Sequence, residues 1–163
     1  MTVSIAIISD THSHIDERIL NIVNNCDIAI HAGDICGNNI LTSLTPKTGK
    51  VYAVAGNNDE YLHPDIAKKL NITLPGGIIA VEHGHLHGMQ SPCHQSMREA
   101  HPDAKVIIYG HTHKMLVDKE QTPWVINPGA AGRTRTRGGP SCLILRCSET
   151  TWEVTEHRFS EQY

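Results

Sequence analysis

IIYGHTHK, residues 107–114, passes from a short apolar run through Gly110 to two histidines separated by one residue. In extended chain, alternate side chains share a face, so His111 and His113 can point into one site at the end of a strand. Two imidazoles on one face suit a metal ion or a proton-transfer pair. The same plan recurs upstream. VSIAIIS (3–9), DIAIHAGD (27–34), VYAVAGNND (51–59) and IIAVEHGH (78–85) are each a short β-rich run ending in polar residues, most of them at a glycine-marked turn.

Between these runs the spacing changes. Ile15, Ile19, Ile22, Val23 and Cys26 follow helical spacing behind a polar start at Ser13 to Glu17. Short helices are expected over Asn39–Leu44 and Cys93–His101, the second stopped by Pro102. Beyond Met115 the helical signal is lost, and WVINPG (124–129), SCLILRC (141–147) and TWEVTEHRF (151–159) read as strands of an antiparallel second half. Alternating strands and helices followed by consecutive strands predict an α/β protein with mixed sheets, and in such folds ligands gather where strands end at their carboxyl side.

Composition narrows the class. The chain has 163 residues, 39 % hydrophobic and 19 % charged, which fits one well-buried domain spanning residues 1–163 and excludes a disordered chain. A net charge of -3 argues against an extended nucleic-acid surface. Val3 to Ile8 is far too short for a membrane span, has no basic residue before it and meets Asp10 at once, so a cytoplasmic location with no membrane partner is expected. Five cysteines, an odd number without CxxC spacing, predict reduced thiols rather than a disulfide framework or a thiolate zinc site. Histidine stands out, with 12 copies gathered around a few glycines.

Taken in order, the strand ends carry DTH (10–12), GD (33–34), GNND (56–59), HGH (83–85) and GHTH (110–113), with NPG (127–129) after them. This ordered set resembles the calcineurin-like metallophosphoesterase superfamily, and within it the small bacterial and archaeal phosphodiesterase group related to the retromer scaffold subunit. The resemblance implies a four-layer α/β/β/α sandwich with two mixed β-sheets and a metal site at the strand carboxyl ends. By the same resemblance, Asp10, His12, Asp34 and His113 surround one metal ion and Asp34, Asn57, His83 and His111 the second, with Asp34 as the bridge. It implies two divalent transition-metal ions per chain, with manganese first and zinc, iron, cobalt or nickel as alternatives, which suits a donor set of imidazole, carboxylate and amide. It also implies hydrolysis of a phosphate ester by a hydroxide bridging the metals, more narrowly that of a phosphodiester, with a small, nucleotide-like ester as substrate. Self-association is left open.

One position departs from the family. Where much of the superfamily has a histidine after the asparagine of GNND, this chain has Asn58. An amide can donate a hydrogen bond to a phosphate oxygen but cannot lend a proton, so Asn58 and His85 are the candidate catalytic residues, His85 as the preferred proton donor. The same departure keeps a second class alive, a weakly active or inactive binding scaffold on this fold. The RTRTRGG segment, Arg133 to Gly139, could grip a phosphate or an acidic partner, although the plainer reading is a solvated loop. His14, His31, His63, His87, His94, His101 and His157 fall outside the motifs and are expected at the surface or in support of the site.

Overall fold

The computed structural model describes residues 1–161. The central strand β1 (Val3–Ile8) leads through Asp16, whose side chain accepts from the Arg18 N–H and caps the helix, into α1 (Glu17–Asn25). Then follow β2 (Ile28–His31), α2 (Ile40–Ser43), β3 (Lys50–Ala53), β4 (Lys69–Leu74), β5 (Gly77–Glu82), α3 (His94–Ala100), β6 (Val106–Ile108), β7 (Met115–Asp118), β8 (Trp124–Pro128), β9 (Ser141–Cys147) and β10 (Trp152–Arg158). They form two five-stranded sheets, ordered β10-β9-β1-β2-β3 and β4-β5-β6-β8-β7.

Both sheets are mixed. In the first, β1, β2 and β3 run parallel while β9 and β10 are antiparallel to their neighbours. In the second, β5, β6 and β8 run parallel and the edges β4 and β7 are antiparallel. The late strands therefore do not make an antiparallel half of their own. β9 and β10 extend the first sheet, whereas β8 inserts beside β6 as a parallel strand of the second.

Alternation along the strands sets the layers. Ile5 and Ile7 of β1 meet Ile79 and Val81 of β5 and Val106 and Ile108 of β6 in one core between the sheets. Ala6 and Ile8 face the other way and pack with Ile19 and Val23 of α1. On the far side, Ala80 and Ile107 pack with Met97 of α3. The result is the expected α/β/β/α sandwich, and it explains why the middle strands read as unbroken apolar runs: both of their faces are covered. The edge strands β4 and β7 were not anticipated. KLNITL alternates exposed with covered positions, and all of MLVD is only half-buried, so neither has the continuous apolar signal of the middle strands.

One polar residue inside this core is structural. His31, at the end of β2, has no exposure; the Gly33 N–H donates to its Nδ1 at 3.1 Å, and its Nε2 meets the Thr11 hydroxyl at 3.0 Å. Thr11 Oγ1 donates onward to the Ile35 carbonyl, which assigns the His31 proton to Nε2. Burial pushes His31 down to about 4, against the pull of Asp10 and Asp59.

Two outcomes are expected. Ile108→Ala, in the fully buried inter-sheet core, should cost about 2–5 kcal/mol with an unchanged denaturant slope, read by urea unfolding. His31 has a lower pKa folded than unfolded, so the unfolded chain binds the extra proton and stability falls as pH drops from 6.5 toward about 4. The loss attributable to this residue is on the order of 3 kcal/mol, and His31→Gln should flatten the pH dependence of unfolding across that window.

Candidate metal centre

The residues named by the motifs sit in loops at the carboxyl ends of five strands. Asp10 and His12 follow β1, Asp34 follows β2, Asn57 follows β3, His83 follows β5, and His111 and His113 follow β6. The first three strands belong to one sheet and the last two to the other, so the site straddles both at their common end. The loops are conformationally costly. Among the described residues, the non-glycine positions with positive φ are Asp10, His12, Ser13, Asp34, Cys36, His111, His113, Arg135 and Arg137. Left-handed backbone costs about 1–3 kcal/mol per residue and persists where the surroundings hold it, commonly at functional sites.

Glycine makes the close approaches possible. Gly33 has φ +103°, and a Cβ there would stand 2.5 Å from His83 Nδ1. At Gly56 a Cβ would collide with the Asp34 carboxylate.

The ligand atoms converge. Asp10 Oδ1 lies 3.4 Å from His113 Nε2, 3.8 Å from His83 Nε2 and 3.9 Å from His12 Nε2. Asp34 Oδ2 lies 3.4 Å from His83 Nε2 and 3.5 Å from His12 Nε2. Atoms held about 2.1 Å from a single ion would be about 3.0–3.5 Å from one another, the spacing of most of these contacts. Two sets emerge, Asp10–His12–His113 and Asp10–Asp34–His83. The motifs assign the bridge to Asp34; in the structure both carboxylates stand between the two sets.

Two observations test whether a cation fits. Asp10 Oδ1 and His83 Nε2 are buried and have no hydrogen-bond partner. The other Asp10 oxygen is fully engaged, accepting from the Ser9 hydroxyl at 2.7 Å and the His111 N–H at 3.0 Å. A buried acceptor left bare costs about 1–3 kcal/mol, more when charged, and a metal ion removes that cost. Second, the imidazoles are aimed. His83 Nδ1–H donates to the Ala32 carbonyl and His113 Nδ1–H to the Thr134 carbonyl, both at 2.8 Å, which leaves each Nε2 lone pair facing the carboxylates.

Asn57 and His111 face each other beside the second set. His111 Nε2–H donates to the Met89 carbonyl, so its Nδ1 carries a lone pair and faces Asn57 Oδ1, another acceptor, at 3.2 Å. A cation satisfies both at once. The His111 ring packs against His83 with centroids 5.2 Å apart.

The carboxylates and imidazoles of the cluster shift one another's affinity for protons. Burial disfavours the Asp10 carboxylate, but His113 and His83 outweigh it and keep Asp10 below its usual range. Burial of Asp34 is likewise overcome by His83 and Asn58, which hold it far below the carboxylate norm. Burial would lower His83 and His113, yet Asp34 raises the first and Asp10 the second. At His12 burial prevails and the imidazole falls. A divalent ion competes with protons for the Nε2 atoms of His83 and His113, so its affinity should weaken on acidification.

Three supporting residues escaped the sequence reading of the site. Ser9 orients Asp10. Asp59 has no exposure and accepts from the backbone N–H groups of Ile35, Cys36 and Gly56, tying the Asp34 loop to the Asn57 loop. Asn127, in the NPG motif, donates from Nδ2 to the Gly110 carbonyl at 2.9 Å and holds the turn before His111. Asp59 was visible as the last letter of GNND, but nothing in sequence tells a backbone tie from a ligand.

Of the two candidate catalytic residues, Asn58 is spent on Asp34: its backbone N–H donates to Oδ1 at 3.0 Å and its Nδ2 to Oδ2 at 2.8 Å. His85 is half-buried, with its ring centroid 5.5 Å from that of His83, and burial together with the His83 charge lowers its pKa. Its Nδ1 is buried without a hydrogen-bond partner, which keeps it a candidate for proton transfer beside the site. Other histidines do structural work. His87 and His101 flank the buried Glu82 at 2.8 and 2.5 Å, and His94 bonds the Tyr109 hydroxyl at 3.0 Å. Beside the site opens a cavity of about 510 Å³ whose lining includes Asp34, Asn57, Asn58, His111 and His113.

The calcineurin-like phosphoesterase superfamily domain matches residues 3–150. A probable metallophosphoesterase of Bacillus subtilis is 30% identical over 143 residues, covering 87% of this chain and 83% of its own. A phosphodiesterase of Methanocaldococcus jannaschii is 29% identical over 142 residues, covering 77% of this chain and 82% of its own. In three dimensions the chain is similar to the zinc complex of Vps29 from Entamoeba histolytica, with TM-score 0.76 and 21% identity over 96% of this chain and 98% of the other. With the motif residues drawn together at the strand ends and most of its length matched, the chain belongs to the calcineurin-like phosphoesterase superfamily.

Proposed function

We propose that residues 1–163 work as one domain that hydrolyses a phosphodiester with two divalent metal ions held by Asp10, His12, Asp34, Asn57, His83, His111 and His113. The observation that carries this reading is the pair of buried atoms without hydrogen-bond partners, Asp10 Oδ1 and His83 Nε2, where the two donor sets meet. The donors are nitrogen and oxygen, which suits manganese first and zinc, iron, cobalt or nickel after it. When bound, such a pair of ions polarises phosphoryl oxygens and lowers the pKa of water toward neutrality.

The chain's own residues supply position and charge. The Ala32 and Thr134 carbonyls fix the faces of His83 and His113, and Asn58 holds Asp34. Two divalent ions, two aspartates and a hydroxide leave roughly one positive charge, a setting that favours an anionic ester. With one Nδ2–H on Asp34, Asn58 keeps a second for a phosphoryl oxygen but offers no proton to a leaving group. The Methanocaldococcus relative named a phosphodiesterase supports the diester reading, and five unpaired cysteines support a reducing, cytoplasmic setting.

A second reading, a binding scaffold, draws on the likeness to Vps29 and on Tyr61 and Leu62, which are 98% and 51% exposed on the loop after Asn58. Turnover decides between the two.

Protein stripped of metal and refilled with manganese should take up about two ions per chain by elemental analysis. Asp34→Asn and Asp10→Asn should impair both sites because each carboxylate stands between them, whereas His12→Ala should weaken one; refilled protein without stoichiometric metal would contradict the assignment. Among substrates, an aryl diester should be hydrolysed at least about tenfold faster than an alkyl monoester, a difference of about 1.4 kcal/mol in barrier, since an activated leaving group needs no proton. The reverse order under the same metal would overturn the diester reading, and absence of turnover across the panel would favour the scaffold.

A further inference from the structure

The cavity carries three cationic side chains that the metal centre does not use. Lys114, Arg135 and Arg137 line it together with Asp34, the one acidic residue in its wall. The arginines in ion pairs among the described residues are Arg18, with Asp16, and Arg98, with Asp118. Arg135 and Arg137 are instead exposed and turned to the cavity. A local concentration of three cations on a chain of net charge -3 is a specific feature of this face.

The loop that presents them is built into the site. Thr136 between the two arginines is 2% exposed, and its hydroxyl donates to Glu161 at 2.9 Å. Both flanking arginines have left-handed backbone, with φ 48° and 56°, and belong to the same group of strained residues as Asp10, Asp34, His111 and His113. Unpaired surface arginine gives no reason to hold such a conformation, and strain of this kind points to a positioned group. The two ends of the loop are tied. His113 Nδ1–H lies within 2.8 Å of the Thr134 carbonyl and 3.2 Å of the Arg135 carbonyl, and Arg158 donates to the Arg137 carbonyl at 2.7 Å. The Arg135 charge is felt at His12 and His113. RTRTRGG is thus not a freely solvated loop: the segment that aims His113 also carries the guanidinium groups.

The wall also includes the apolar or aromatic side chains of Met89, Pro92, Tyr109 and Leu116. At about 510 Å³ the cavity is large for a lone phosphate and within the usual range for a nucleotide-sized ligand.

We propose that Lys114, Arg135 and Arg137 form an anion subsite beside the metal centre, and that the substrate is a nucleotide-type phosphodiester carrying a second phosphate. Its scissile phosphate lies at the metal ligands, its second phosphate on the cations, and its base against the apolar lining residues. The assignment rests on the phosphodiesterase reading above. Guanidinium offers paired donors matched to phosphate oxygens, and lysine adds a point charge.

The test compares two probes that differ by one phosphate, thymidine 3′,5′-bisphosphate and thymidine 5′-monophosphate, binding to manganese-loaded protein by calorimetry at low salt. The bisphosphate should bind about tenfold tighter, the scale of one charge-assisted hydrogen bond, and the advantage should shrink with added salt. In Arg135→Gln/Arg137→Gln the ratio should fall close to one, and the single Arg135→Gln should lower it part-way and serves if the double variant does not fold. Arg133→Gln, an exposed arginine outside the cavity wall, should keep the ratio. Equal affinities in the wild type, a ratio that survives the double substitution, or an equal loss in Arg133→Gln would each overturn the subsite. Turnover of the p-nitrophenyl esters of the same two nucleotides separates the claims. A preserved binding ratio with neither ester hydrolysed leaves the subsite standing and removes the phosphodiesterase, whereas hydrolysis of both at equal kcat/KM removes the subsite alone.

Discussion

Asp10 sits at the end of the central strand with no exposure, and its two oxygens are treated differently. One accepts from Ser9 and from the His111 backbone, so it joins the loop after β1 to the loop after β6 in the other sheet. The second is left bare among His12, His83 and His113. A buried carboxylate is tolerable only when paired, and every other feature of the site follows from supplying partners to this one. The imidazoles converge on it, carbonyls fix their tautomers, and the backbone bends into left-handed conformations to bring them there.

Such a centre needs a rigid frame, and the sandwich provides it. Four of the five strands that deliver ligands, β1, β2, β5 and β6, have both faces covered, by the other sheet on one side and by a helix layer on the other. Their ends cannot shift without disturbing closely packed cores. Asp59 and Asn127 carry that rigidity into the loops by using their polar atoms on backbone groups rather than on ligand. His31 and Thr11 do the same beneath the site, in a neutral pair suited to full burial.

The strain in these loops also connects the metal ligands with the arginine segment. His113, in the loop after β6, and Arg135, in the loop between β8 and β9, are coupled through the Thr134 and Arg135 carbonyls, so the loop that would hold an anion also aims a group that would hold a metal ion. Hydrogen bonds between the two loops would constrain the distance between two charged portions of a ligand, a means of selecting substrates by the spacing of their phosphates.

Much was legible from residue order alone. Strands covered on both faces appear as apolar runs such as VSIAII and SCLILRC, and the ligand-bearing loops appear as DTH, GD, GNND, HGH and GHTH at their ends, because the chemistry of a metal site demands those side chains at strand termini. Edge strands β4 and β7 were invisible, since an element covered on one side or partly exposed has no strong pattern of its own. Parallel insertion of β8 beside β6 could not be read either, because strand direction depends on which neighbour completes the sheet. Folding also decided what each polar side chain does: Asp59 ties backbone, Asn58 grips Asp34, His85 settles half-buried beside His83, and Arg135 and Arg137 turn to the cavity. Those roles depend on burial and on neighbours distant in the chain. Residue type and spacing determine which groups arrive at the site, and only tertiary contacts determine which of their atoms remain free to act there.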